Sequence, residues 1–218
     1  MSPFGFLADP ANWQGPDGIL QRLLEHLVYS GLSLLLAMVV AIPVGIWIGH
    51  TRRGQAVISL VVNAARAIPT LGLLVLVVLL LGTGLMPVVL ALAILAIPPI
   101  LNGTVTGFNT ADPDAVYAAR AVGMTGGQVI GKVELPLAMP LIISGLRSAT
   151  LQVVATATIA AMAAAGGLGR FVIDGQKRRD GYPEMLAGAL LVAVLAIVLD
   201  LLWGLIGWAS RRRTHQTA

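Results

Sequence analysis

The chain has 218 residues, of which 57% are hydrophobic and 11% charged, with a formal net charge of +4 and a mean hydropathy of +0.87. A soluble domain carries about 25% charged residues, so this balance needs lipid as solvent, and the length fits one membrane domain with no separate soluble domain. Cysteine is absent, which excludes disulfides and thiolate metal sites.

The N-terminal segment, residues 1–26, holds Pro3, Asp9, Pro10, Pro16 and Asp17 and no long apolar core. It is expected to be extracytoplasmic and to lack a cleavable signal peptide, so that the first membrane helix would direct insertion. Crossing about 30 Å of hydrocarbon takes about 20 apolar residues in a helix. Five stretches qualify: Leu27 to Ile48, Ala56 to Leu81, Met86 to Phe108, Leu137 to Ala165 and Met185 to Ala209. Arg66 and Pro69 interrupt the second, and Pro98-Pro99 lies inside the third. Interior prolines are tolerated in membrane helices because neighbouring groups satisfy the freed carbonyls. The predicted fold is all-α and integral to the membrane, with a transmembrane domain over 27–209 and a cytoplasmic basic tail over 210–218. Arg52-Arg53, Arg120 with Lys132, and Arg211 to Arg213 fall on one side of an alternating five-span path. The positive-inside rule makes that side cytoplasmic and the N-terminus external. Basic flanks of this kind, rather than nucleic-acid binding, account for the net charge.

A polar interlude, residues 109–136, separates the third and fourth spans. Asp112-Pro113 is a helix start, with Asp as cap and Pro at the first helical position. Gly123 suits a left-handed C-terminal cap. Thr125-Gly-Gly-Gln128 has capping-box spacing. The pattern predicts a helix over 112–122, a tight bend and a second short helix at the membrane surface. Ala118 and Ala119 keep one face thin, so that a partner can approach closely.

Tyr117-Ala-Ala-Arg-Ala-Val-Gly123, followed after nine residues by Val133-Glu-Leu-Pro136, resembles the loop E-A-A-x3-G-x9-I-x-L-P through which permease subunits of ABC importers engage their ATPases. Ala118, Ala119, Gly123, Leu135 and Pro136 match; Tyr117 replaces the Glu and Val133 the Ile. The resemblance extends from about Ser30 to Leu202. Arg66-Ala-Ile-Pro-Thr-Leu, Val133-Glu-Leu-Pro-Leu-Ala, Ser144-Gly-Leu-Arg-Ser-Ala-Thr, Thr156-Ala-Thr-Ile-Ala-Ala and Ala165-Gly-Gly-Leu-Gly are similar to permeases for glycine betaine, choline and carnitine. Methionine importer permeases share the five-span plan and Gly-Gly-Leu-Gly. The resemblance implies solute import across a bacterial inner membrane. Its implied partners are two ABC ATPase subunits that bind ATP and Mg, a second permease copy or a paralogue, and an extracytoplasmic substrate-binding protein. It also implies that Asp112, Asp114, Tyr117, Ala118, Ala119, Arg120, Gly123, Met124, Leu135 and Pro136 contact the ATPase.

Thr156, Thr158 and the alanines that follow form a thin helix face, read either as a tight packing seam or as a pathway wall. Gly166, Gly167 and Gly169 break the fourth span and fit a gate-like turn or a flexible exit loop. Arg147 and Asp200 lie at matched depth, and a lone charge there costs at least about 2.5 kcal/mol; they are expected to pair, with Arg66 as a competing partner. His26, His50 and His215 lack metal-ligand spacing. No G-x-x-x-x-G-K-[ST] loop is present, so the chain is expected to hydrolyse nothing and to bind no cofactor. Eleven aromatic residues form no cluster of the kind that cages quaternary ammonium groups. A channel or secondary carrier acting alone would need a ring of pore charges or paired broken helices, and a non-transporting scaffold would not need the 117–136 pattern.

Overall fold

The computed structural model describes residues 2–163 and 165–216, and describes the backbone alone at Gln55, Val57, Ser59, Val61, Ala65, Arg66, Ala163 and 211–216. Among the described residues the chain is helical throughout, without a strand. The helices are α1 (Pro3–Ala8), α2 (Ile19–Thr51), α3 (Gln55–Ala67), α4 (Thr70–Leu81), α5 (Leu85–Asn109), α6 (Pro113–Ala121), α7 (Gly126–Val129), α8 (Leu135–Ala160), α9 (Gly169–Lys177) and α10 (Tyr182–Gln216). A 3₁₀ turn follows α1 at Pro10–Trp13. A π turn at Ile130–Glu134 joins α7 to α8, and a 3₁₀ turn at Ala161–Ala163 ends α8.

Among the described residues, four continuous stretches are long and apolar enough to span a membrane: Ile19–Thr51, Leu85–Asn109, Gly126–Ala160 and Tyr182–Ser210. The second of the five expected spans is not one helix. It divides into α3 and α4 around Ile68-Pro69, where Pro69 sits at φ −61°, ψ 116° as the cap of α4. Proline has no N–H to continue the ladder and pushes the residue before it out of the helical region. The 12 residues of α4 reach only about 18 Å at 1.5 Å per residue. The first span also begins eight residues earlier than expected, at Ile19. Its 33 residues extend about 50 Å, which exceeds the hydrocarbon thickness.

The chain divides into two compact units, residues 1–36, 68–96 and 150–199 in the first and 37–67, 97–149 and 200–218 in the second. Within the first, Ile19, Leu168 and Phe171 form a core covered by Phe6, Leu7, Trp13, Leu23, Leu191, Val192 and Leu195. The Trp13 Nε1–H donates to the Leu7 carbonyl at 2.7 Å, which folds α1 back over its own 3₁₀ turn. Leu79 and Leu80 on α4 and Val194, Ile197 and Val198 on α10 are exposed, as suits side chains solvated by lipid or by another membrane subunit.

Within the second unit, α2, α5 and α8 approach to backbone contact. A Cβ at Gly103 would lie 2.7 Å from the Leu141 carbonyl oxygen and 2.8 Å from Gly145 Cα, and one at Gly145 would lie 2.7 Å from the Pro99 carbonyl oxygen. A Cβ at Gly107 would meet Ala138, and Cβ atoms at Gly45 and Gly49 would meet Thr104 and Phe108. Small residues at such crossings let dispersion act between backbones, which lipid cannot replace. Gly103→Val should therefore lower stability by about 1–3 kcal/mol, as overpacked cores do. Gly204 in α10 has nothing within 4 Å of an added Cβ, so Gly204→Ala should be neutral or stabilising. Thermal unfolding of the two purified variants in detergent checks the contrast.

Candidate functional site

The polar interlude folds as a capped hairpin in the second unit. The Asp112 side chain accepts from the Asp114 N–H at 2.9 Å, and Pro113 occupies the first turn. At the far end of α6 the Gly123 N–H donates to the Arg120 carbonyl at 3.0 Å and the Met124 N–H to the Ala119 carbonyl at 3.1 Å. This pair of bonds is the Schellman motif. Gly123 has φ +85°, a conformation that a Cβ penalises. Thr125 and Gln128 then exchange reciprocal side chain to backbone bonds, a complete capping box. Caps at both ends make this short segment rigid without support from a long helix.

The two signature alanines point in different directions: Ala119 is buried and Ala118 exposed. Tyr117 and Val122 are each 76% exposed, which gives α6 an uncovered apolar edge. Met124 is half-buried, and Asp112, Asp114 and Arg120 are exposed. Leu135 and Pro136 open α8 directly after the π turn. Tyr117 and Arg120 line an open cavity with His50, Arg52 and Arg53. Arg52 has φ 58° where α2 ends, and its guanidinium donates to the Asn109 carbonyl at 3.2 Å, so it ties the end of α2 to the end of α5. The His50 Nδ1–H donates to the Glu134 carboxylate at 2.5 Å.

Arg147 and Asp200 meet in the same unit. The Arg147 Nε–H and Nη2–H donate to the two Asp200 oxygens, each at 2.5 Å. This planar fork engages both carboxylate oxygens on two membrane helices, where a charge without a partner is expensive. The competing Arg66 side chain lies outside the described residues.

A second polar cluster occupies the first unit. Arg22, Glu25, His26 and Tyr29 follow at i, i+3, i+4 and i+7 and so share one face of α2. Glu25 Oε2 accepts from the Gly167 N–H at 2.8 Å and from Arg22 Nη1 at 2.9 Å, and Arg22 also pairs with Asp17. The Tyr29 hydroxyl accepts from the Gly166 N–H at 3.2 Å. His26 is fully buried and its Nε2–H donates to the Val154 carbonyl at 3.1 Å. Gly167 has φ +86°, and a Cβ there would lie 3.2 Å from His26 Nδ1. A Cβ at Gly169 would clash with the Thr158 carbonyl. The turn after α8 is therefore clamped by named bonds to α2. The hydroxyls of Thr156 and Thr158 donate to the carbonyls of Gln152 at 2.8 Å and Val154 at 3.3 Å within their own helix, which engages their protons in packing.

Sequence reasoning missed the Arg22–Tyr29 face and the His50–Glu134 pair. The i, i+3, i+4, i+7 spacing of polar residues just before an apolar run was a legible sign of the first. The partners of both histidines lie far along the chain, and no spacing rule connects them.

Membrane-length helices built around glycine contacts, with a rigid capped hairpin between two of them, define a helical membrane protein. The chain belongs to the family of binding-protein-dependent transport system inner membrane components, whose pattern matches residues 41–211. It is a membrane subunit of ABC transport rather than an enzyme. It is 33% identical over 193 residues to the carnitine transport permease protein OpuCD of Listeria monocytogenes, covering 88% of this chain and 85% of that one. It is 35% identical to the choline transport system permease protein OpuBD of Bacillus subtilis, covering 91% and 86%. Against the glycine betaine/proline betaine transport system permease protein ProW of Escherichia coli it is 36% identical over 93% of this chain and 57% of that one. Among solved structures it resembles a chain of the inward-facing MetNI methionine ABC transporter, with a TM-score of 0.76, 26% identity and coverage of 88% and 95%.

The fork between Arg147 and Asp200 should behave as one unit. Arg147→Met and Asp200→Leu should each lower the thermal stability of the purified protein, and the double variant should lose less than the sum. Strictly additive losses would reject the energetic coupling of the pair.

Proposed function

We propose that the chain is the permease through which an ABC importer brings in an osmoprotectant such as glycine betaine, choline or carnitine. The substrate class follows the proteins it is similar to, three of which are named for those solutes. ATP and Mg act on two partner ATPase subunits, and the pathway is completed by a second copy of this chain or a paralogous permease. An extracytoplasmic binding protein delivers the solute, and selection among quaternary ammonium compounds falls to it.

The observation that carries this reading is the capped α6–Gly123–α7 hairpin with Tyr117 and Val122 uncovered. A soluble partner that closes on ATP would press on this rigid element. Asp112, Asp114, Tyr117, Ala118, Arg120, Gly123 and Met124 form the contact, with Ala119 buried on the inner side of α6 and Leu135 and Pro136 opening α8 after it. The clamped turn at Gly166, Gly167 and Gly169 is the gate segment, and Thr156 and Thr158 are its packed wall. Arg147 with Asp200 keeps α8 and α10 together as they tilt.

With α3 and α4 read together as one crossing, the count is five and the termini lie on opposite sides; the basic residues then favour the N-terminus outside and the C-terminus in the cytoplasm. Arg52, Arg53, Arg120, Lys132 and Arg211 to Arg213 then share the cytoplasmic side. Because the chain has no cysteine, Ser210→Cys gives a single label site. It should react with an impermeant maleimide only after the cells are opened; labelling of intact cells would reverse the topology.

Gly123→Val should leave membrane insertion intact, since insertion depends on the apolar helices. It places a β-branched side chain at positive φ, at a cost of about 1–3 kcal/mol, and misaligns α6 with α7. Co-purification with the ATPase should weaken, or ATP hydrolysis should continue without glycine betaine uptake in cells. Normal complex yield with normal uptake would remove the hairpin from the coupling role.

A further inference from the structure

Glu134 falls at the variable position of the Val133-Glu-Leu-Pro136 stretch, where the sequence pattern requires no particular residue. Its side chain is nevertheless only 4% exposed. A carboxylate does not enter such a site without a partner, and its partner is His50, in the last turn of α2. The local backbone is also unusual. Residues Ile130–Glu134 form a π turn, closed by the Leu135 N–H on the Ile130 carbonyl. One extra residue in the repeat turns the following side chains relative to an α-helix, and such turns collect at functional sites. Its neighbours Gly131 and Lys132 are exposed while Glu134 is buried.

The surrounding contacts give this pair a mechanical position. α8 is held against α5 by Ala138 at Gly107, and α5 against α2 by Phe108 at Gly49 and Thr104 at Gly45. These are close contacts without directional bonds. Arg52 holds α2 to the end of α5 through a carbonyl. The His50–Glu134 bond is the directional link from the hairpin side of α8 to α2. It lies at the point where the hairpin becomes a membrane helix.

We propose that Glu134 is a positioning residue that passes displacement of the α6–α7 hairpin to α2 through His50, with the π turn as its hinge. This rests on the importer reading given above. The ATPase docks on the exposed Tyr117 and its neighbours, while Glu134 is buried and bonded to His50. Loss of the carboxylate should therefore separate hydrolysis from transport with complex yield kept, whereas loss of an exposed docking side chain such as Tyr117 should lower complex yield.

The test uses the assembled transporter, permease with its ATPase and binding protein, reconstituted in liposomes. Glu134→Gln, Glu134→Ala, His50→Gln and the double variant Glu134→Gln/His50→Gln are compared with the unmodified chain. Complex yield and ATP hydrolysis should stay within about twofold, while glycine betaine taken up per ATP should fall about tenfold or more. The double variant should be no worse than either single one, because both remove the same link. A readout that does not depend on the solute is the labelling rate of a single cysteine, Val44→Cys on α2. ATP should change that rate in the unmodified background and leave it unchanged with Glu134→Gln. Unaltered uptake per ATP with Glu134→Ala, additive effects of the two sites, or an ATP-dependent labelling change that survives Glu134→Gln would each overturn the inference. The near-isosteric Gln variant keeps the test decisive if the Ala variant folds poorly. Failure of the unmodified chain to co-purify with any ATPase would instead strike the importer reading itself.

Discussion

Backbone-to-backbone contact between α5 and α8 at Gly103 and Gly145 is the constraint on which the second unit depends. In lipid there is no hydrophobic gain from bringing two apolar helices together, because the acyl chains are as apolar as leucine. Association then rests on dispersion between closely packed atoms and on the few polar groups that pair. Glycine at both sides of the crossing lets main-chain atoms approach where any side chain would hold them apart. The same device at Gly45, Gly49 and Gly107 brings α2 into the set. A chain with 25 glycines is here using them as contact surfaces more than as hinges.

Against that apolar background each polar pair has a definite place. Arg147 with Asp200, His50 with Glu134 and Glu25 with the Gly167 N–H all join segments that the chain could otherwise slide apart. Charged groups are rare in membrane helices because each needs a partner. A few directional bonds among many non-directional contacts restrict which relative movements of the helices remain cheap. A transporter needs that combination: apolar faces that can shift, and fixed links that decide what shifts with what.

The hairpin is local in a way that the clamp and the Glu134 pair are not. Asp112, Pro113, Gly123, Thr125 and Gln128 each act on backbone groups within five residues of themselves, so their meaning was present in the sequence order. The spanning helices were legible for a similar reason, since apolar length alone meets the demand of the bilayer. The exception was the second span. Its apolar content suggested one helix, and Pro69 divided it, because composition reports solvent preference while proline acts on the backbone ladder.

The sequence by itself determined that the chain lives in lipid, that it folds from helices, and that residues 112–128 make a rigid capped bend. Each of these follows from interactions between near neighbours or with the solvent. Only the tertiary structure decided that Glu25 and Tyr29 hold the Gly166-Gly167 turn, 142 and 137 residues away, and that Glu134 meets His50 across 84 residues. A buried polar side chain takes whichever complementary group the helix packing brings within reach, and that packing is set by crossings of glycine faces whose register no single stretch of sequence specifies.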